Sequence, residues 1–172
     1  MATVYLHIGT MKTGTSAIQR LLYYNNDVLE KYGYNYPDLN QGFPQNYIAR
    51  NGHFLVWRSS NADEQKRREE ELDFRKKYFD QIKKLSQKYS NIILSDEVIW
   101  RCSNHFPHYW EDLLEGFHKI DCEVKIIVYL RRQDLMIQSI WNQFVKANTF
   151  NSTDFMDVIR TDAFRGYPTY YA

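Results

Sequence analysis

The chain has 172 residues, with 22 Lys and Arg against 21 Asp and Glu, a formal net charge of +1. Charged residues make up 25% and apolar ones 44%, ordinary values for a folded domain, and 16% aromatic content excludes an intrinsically disordered chain. A charge this near zero argues against bulk attraction to nucleic acid or anionic membrane, though not against a small basic pocket for a small anion.

One domain over residues 1–172 is the expectation at this length, and such a domain can bury a core without staples. Two cysteines, Cys102 and Cys122, are too few for a disulfide framework and lack nearby ligands for zinc, so they read as buried free thiols of a reducing compartment, and no metal site is expected. The longest apolar run, Ile126 to Leu130, falls far short of the ~18 residues a membrane helix needs. Val4-Tyr5-Leu6 meets His7 at once, which is not a signal peptide. The expected location is the cytoplasm, with no integral membrane segment.

In chain order, Thr3 to Ile8 is short, β-branched and aromatic, and closed by Gly9, which predicts a strand. Apolar residues at Ala17, Ile18, Leu21, Leu22, Val28 and Leu29 predict one helix to about Tyr32, stopped by Gly33. Residues 33–61 collect Pro, Gly, Asp and Asn, a long irregular connection with one short helix expected around Tyr47 to Arg50. Residues 62–89 read as an amphipathic helix carrying Leu72, Tyr78, Phe79, Ile82 and Leu85 on its apolar face. Bases in Lys66-Arg67-Arg68 are balanced by Glu69-Glu70-Glu71, so a nucleic-acid role is not expected of them.

Asn91 to Ser95 reads as a buried strand followed by Asp96-Glu97, and Trp110, Leu113, Leu114 and Phe117 mark a helix. Glu123 to Leu130 is the strongest strand signal and runs into Arg131-Arg132, then a helical pattern through Leu135, Ile140 and Val145. From Asn151 a short helix and a tail with three tyrosines are expected. Strands alternating with helices, and apolar almost throughout, predict an α/β fold: a three-layer αβα arrangement with a mainly parallel sheet covered on both faces.

The stretch Gly9-Thr10-Met11-Lys12-Thr13-Gly14-Thr15-Ser16 joins the first strand to its helix. The first amides of a helix have no partner within it, and its dipole adds positive character, so phosphate or sulfate fits there. Lys12 adds an ammonium, Thr13, Thr15 and Ser16 add hydroxyls, and Gly14 permits close backbone approach. In a Walker A loop the lysine directly follows the second glycine; here Thr15 holds that place.

The run His7-Ile8-Gly9-Thr10-Met11-Lys12-Thr13-Gly14-Thr15-Ser16-Ala17-Ile18-Gln19 resembles the 5′-phosphosulfate loop of sulfotransferases that use 3′-phosphoadenosine 5′-phosphosulfate (PAPS), nearest the Lys-Thr-Gly-Thr form of the carbohydrate and bacterial types. Their second signature, a strand ending in Arg with Ser eight residues on, is matched by Val128-Tyr129-Leu130-Arg131 and Ser139. Asp134 and Ser139-Ile140-Trp141-Asn142-Gln143 fit the pattern, whereas Gln133 stands where the family usually has proline.

The resemblance implies a P-loop-NTPase-like sulfotransferase fold that lacks the usual C-terminal part. It implies an enzyme moving a sulfuryl group from PAPS to a hydroxyl or amine, by analogy on a carbohydrate or glycolipid, by in-line displacement. Lys12 would stabilise or protonate the bridging oxygen. Thr13, Gly14, Thr15 and Ser16 would hold the 5′-phosphate with Lys12, and Arg131 with Ser139 the 3′-phosphate. The general base is expected to be His53, with Glu97 second. His7 reads as a core or supporting histidine. The partners would be the nucleotide and a saccharide-like acceptor, and association with another chain is expected. Two alternatives remain open: a P-loop kinase or NTPase, for which Ile92 to Asp96 offers a strand ending in a magnesium-binding Asp, and a catalytically incomplete nucleotide-binding fragment.

Overall fold

Val4 and Leu6, Phe54 and Leu55, Ile92 and Leu94, and Leu113 and Phe117 all reach zero exposure, and the fold is organised about them. The computed structural model describes residues 1–10, 12–39, 49–106 and 108–146. Two units divide the chain, residues 1–129 and 130–172, and each is described by itself.

In the first unit, β1 (Ala2–His7) is flanked by β3 (Asn91–Ser95) and β4 (Cys122–Ile127), and the two-residue β2 (Tyr34–Asn35) lies outside β3. All pairings are parallel, in the order β2-β3-β1-β4. Val4 stands beside Ile92 and Val124, and Leu6 beside Leu94 and Ile126, so these residues share one face. That face carries the core with α3 (Glu64–Ser86), α4 (Val98–His105) and α5 (Tyr109–Lys119), which contribute Tyr78, Phe79, Ile82, Ile99, Leu113 and Phe117.

The opposite face is less apolar, among the described residues, than the strand pattern predicts. It presents Thr3, Tyr5, Asn91 and Ile93, all half-buried, and the exposed Glu123 and Lys125. Polar residues there keep their hydration, and Thr3 Oγ1 donates to Glu123 Oε2 at 3.3 Å. The strand signal also overran: β4 ends at Ile127, and Val128, Tyr129 and Leu130 are exposed.

The helix expected to reach Tyr32 is two helices, α1 (Thr15–Tyr24) and α2 (Asn26–Lys31). Asn25 breaks it, its side-chain amide donating to the Leu21 carbonyl at 2.7 Å, a local bond that competes with helix continuation. The apolar stripe also does not go inside: Leu21 and Val28 are exposed, while α1 buries Thr15 and Gln19. On α3, Leu72 is exposed, whereas Glu71 and Arg75 are buried; on α5, Leu114 is exposed.

In the second unit, α6 (Gln133–Lys146) is described, with Met136 and Ile140 buried. Arg132 makes a two-pronged bond to Asp134 at 2.6 and 2.7 Å, which holds that carboxyl below its usual range. The C-terminal helix and tyrosines lie outside the described residues, as do Tyr47 and Ile48; Ala49 and Arg50 are not helical. Among the described residues no helix is long and apolar enough to cross a membrane.

Candidate active site

In an all-parallel sheet the carboxyl ends of the strands share one edge, where ligands of open α/β folds bind. Beyond that edge β1 continues into the Lys12 loop and β3 into Asp96-Glu97. The loop is pinned from two sides. Ile8 donates its amide to the Ile127 carbonyl at 3.0 Å, and Thr13 Oγ1 donates to the Thr10 carbonyl at 2.6 Å.

Two loop residues are left-handed, Lys12 at φ +64° and Gly14 at φ +87°. Glycine takes that conformation freely; lysine does so at a cost. A Cβ on Gly14 would meet nothing within 4 Å, so one side of the loop is open. At Gly9 a Cβ would lie 2.8 Å from Thr15 Cγ2 and 3.1 Å from His7 Nε2, so the loop can lie against β1 only with glycine there. The Gly14 carbonyl accepts from the Ala17 and Ile18 amides at 3.0 and 3.2 Å, while the Thr15 and Ser16 amides make no backbone bond among the described residues. Those two donors open α1 on the side of the ligand edge.

Beneath the loop lies a buried polar layer. His7 Nδ1 is 2.8 Å from Ser95 Oγ, and Gln19 Nε2 donates to Ser95 Oγ at 3.2 Å and to Glu97 Oε2 at 3.0 Å. Gln19 thus ties the first turns of α1 to the carboxylate after β3. Burial lowers the His7 pKa against the opposing charge of Glu97, which keeps its ring neutral.

Asn51-Gly52 delivers His53 to the same edge. The Asn51 side chain imitates a strand, accepting from the Ser95 amide at 2.8 Å and donating to the Ile93 carbonyl at 2.9 Å. Gly52 then packs on the backbone of Ser95, where a Cβ would come within 3.1 Å of its carbonyl carbon. The next residue, His53, opens a 3-10 turn (His53–Leu55), and its Nδ1 lies 3.2 Å from Asp96 Oδ2.

Asp96 is fully buried and saturated. Arg50 reaches both of its oxygens, at 2.7 and 3.2 Å, and the Val98 amide donates to Oδ1 at 2.8 Å. A histidine held at Nδ1 by a buried carboxylate presents Nε2 as a proton acceptor, the geometry a general base needs. Glu97 is held between Gln19, at 3.0 Å, and Arg50 Nη1, at 3.8 Å.

The sequence candidates therefore divide between the units. Lys12, Thr13, Gly14, Thr15, Ser16, His53 and Glu97 all lie at the ligand edge of the first. Arg131 and Ser139 belong to the second, Arg131 exposed just before α6 and Ser139 half-buried within it. Arg50, Asn51, Ser95 and the anchoring role of Asp96 were missed.

No protein-family model matches the chain, and a search of curated proteins likewise finds no match.

Proposed function

We propose that the chain is a PAPS-dependent sulfotransferase of P-loop-like fold, acting on a hydroxyl or amine acceptor of carbohydrate type. The observation that carries this reading is the Lys12 to Ser16 loop, opening a helix beyond the carboxyl end of a central parallel strand with one ammonium and two amides that make no backbone bond among the described residues. The open side of Gly14 suits a phosphate pressed against backbone, so the residues present fit the donor.

PAPS supplies an activated sulfuryl group whose transfer leaves negative charge on a bridging phosphate oxygen. Thr13, Thr15 and Ser16, with the amides of Thr15 and Ser16, hold the 5′-phosphate. Lys12 neutralises the charge that develops beside it. His53, anchored by Asp96, takes the acceptor's proton at Nε2. By the resemblance alone, the 3′-phosphate would fall to Arg131 and Ser139.

A rival reading, a magnesium-dependent phosphoryl transferase, would use Asp96 as metal ligand. Both of its oxygens are already engaged by Arg50, Val98 and His53, which favours the sulfotransferase. The test is calorimetric titration with adenosine 3′,5′-bisphosphate in magnesium-free buffer, followed by transfer of labelled sulfate from PAPS to a saccharide panel. Binding that Arg131→Ala weakens supports the reading. Binding only of ATP with magnesium overturns it.

A further inference from the structure

Arg50-Asn51-Gly52-His53 is a four-residue turn, closed by the His53 amide donating to the Arg50 carbonyl at 3.3 Å. Its middle is fastened to the end of β3. The Gly52 amide donates to the Ser95 carbonyl at 3.2 Å, beside the two bonds of the Asn51 side chain. The two ends of the turn both reach the carboxylate of the next residue, Asp96. Arg50 donates from Nη2 to Oδ1 at 2.7 Å and from Nε to Oδ2 at 3.2 Å. His53 Nδ1 lies 3.2 Å from Oδ2, and the Val98 amide donates to Oδ1 at 2.8 Å.

These contacts fall two on each oxygen, as many as the lone pairs a carboxylate offers. Asp96 is wholly buried, and the Arg50 guanidinium matches its charge. A carboxylate paired with a guanidinium is ionised and can only accept. The ring nitrogen that faces it must then donate, which puts hydrogen on His53 Nδ1 and a lone pair on Nε2. Take the guanidinium away, and a carboxylate with no exposure is left uncompensated. Such a group takes up a proton rather than stay charged alone. That proton has two places to settle. On Asp96 it would be donated to His53 Nδ1, and the ring's own hydrogen would stand on Nε2. On His53 it would make an imidazolium, with hydrogen on both nitrogens. Either way Nε2 loses the lone pair that a proton acceptor needs. Glu97 does not replace the missing cation: its Oε1, 3.8 Å from Arg50 Nη1, adds a second negative charge beside the first.

We propose that Arg50 is a positioning residue for the reaction: its two-pronged bond to Asp96 keeps the His53 ring in the form with hydrogen on Nδ1 and a lone pair on Nε2. It acts through Asp96 and not on the reacting atoms. The role rests on the reading of His53 as the base of a sulfotransferase, but it is tested on the ring itself, with no need of donor or acceptor.

The test is nitrogen NMR of the His53 ring in the full chain at about pH 7.5, for wild type, Arg50→Gln and Arg50→Lys, with His53→Gln to assign the signals. Wild type should show hydrogen on Nδ1 and an unprotonated Nε2. Arg50→Gln should move the Nε2 signal to the protonated position. Arg50→Lys, which keeps the charge but not the fork, should return it most of the way. An arginine that only supported the fold would leave the ring hydrogen where it was. Hydrogen on Nε2 in wild type, an Nε2 signal unmoved in Arg50→Gln, or Arg50→Lys behaving like Arg50→Gln would each overturn the assignment. Should Arg50→Gln not fold, the other two spectra decide, and hydrogen on Nε2 in either overturns it. Calorimetry with adenosine 3′,5′-bisphosphate on the wild type keeps the two readings apart. Absent binding counts against the sulfotransferase and leaves the ring measurement standing; binding beside a ring indifferent to Arg50 counts against the positioning role alone.

Discussion

Asp96 Oδ2 lies 3.2 Å from His53 Nδ1, although the two residues are 43 positions apart and Asp96 is wholly buried. The carboxylate also neutralises Arg50, so Asp96 both anchors the ligand edge and orients a histidine on it. Asp96→Asn keeps the shape and removes the charge. It should cost on the order of 3 kcal/mol of stability, the range for breaking a buried pair, and lower transfer more than nucleotide affinity. Urea melts and calorimetry on the same variant separate the two effects.

Lys12 sits in a left-handed conformation that glycine would hold more easily. Lys12→Gly should therefore leave stability unchanged or raise it by up to about 1 kcal/mol, while abolishing sulfate transfer. Lys12→Ala should lose transfer too, without the gain in stability. Thermal melts beside a labelled-sulfate assay check both, and full activity in either variant would remove the lysine from the mechanism.

His7 carries a pH signature. Its folded-state pKa is lowered, chiefly by burial, from an ordinary value of 6.5. The unfolded chain thus takes up a proton that the folded chain resists. Stability should fall as pH drops through 6.5 towards the folded-state value, and be indifferent to this residue above that. His7→Gln should flatten the slope in that window, measured by denaturant unfolding at stepped pH. An identical slope in variant and wild type would place the titration elsewhere.

Gly116, within α5, faces the Phe79 ring. A Cβ there would lie 2.4 Å from Cζ and 2.6 Å from Cε2. The ring is held edge-on by Phe117, with centroids 5.0 Å apart, and cannot step aside freely. Gly116→Ala should destabilise by about 1–3 kcal/mol even though alanine is the better helix former. A melting temperature at or above wild type would show the core yielding.

What the sequence made legible follows the range of each interaction. β1 and β3 lie within a residue of their apolar runs, and α5 follows its periodicity, because those signals are local. β2 has two residues and no pattern to detect. The inner face of α3 was legible at Tyr78, Phe79 and Ile82 but not at the buried Glu71 and Arg75, whose partner Arg58 arrives from a different segment. The same holds at the ligand edge. The loop is visible as a contiguous run, whereas the Arg50–Asp96–His53 set exists only once Asn51 has bound the end of β3.

The sheet's two margins are guarded differently. β2 is too short to template another strand, but β4 is six residues long, with no outer neighbour among the described residues. Its guard is ionic: Glu123 and Lys125, both about half exposed and 3.8 Å apart, would have to surrender hydration before a second chain could align there. Concentrated salt screens such charges, so resistance to strand-by-strand self-assembly should be weakest in strong brine, the medium used to precipitate proteins.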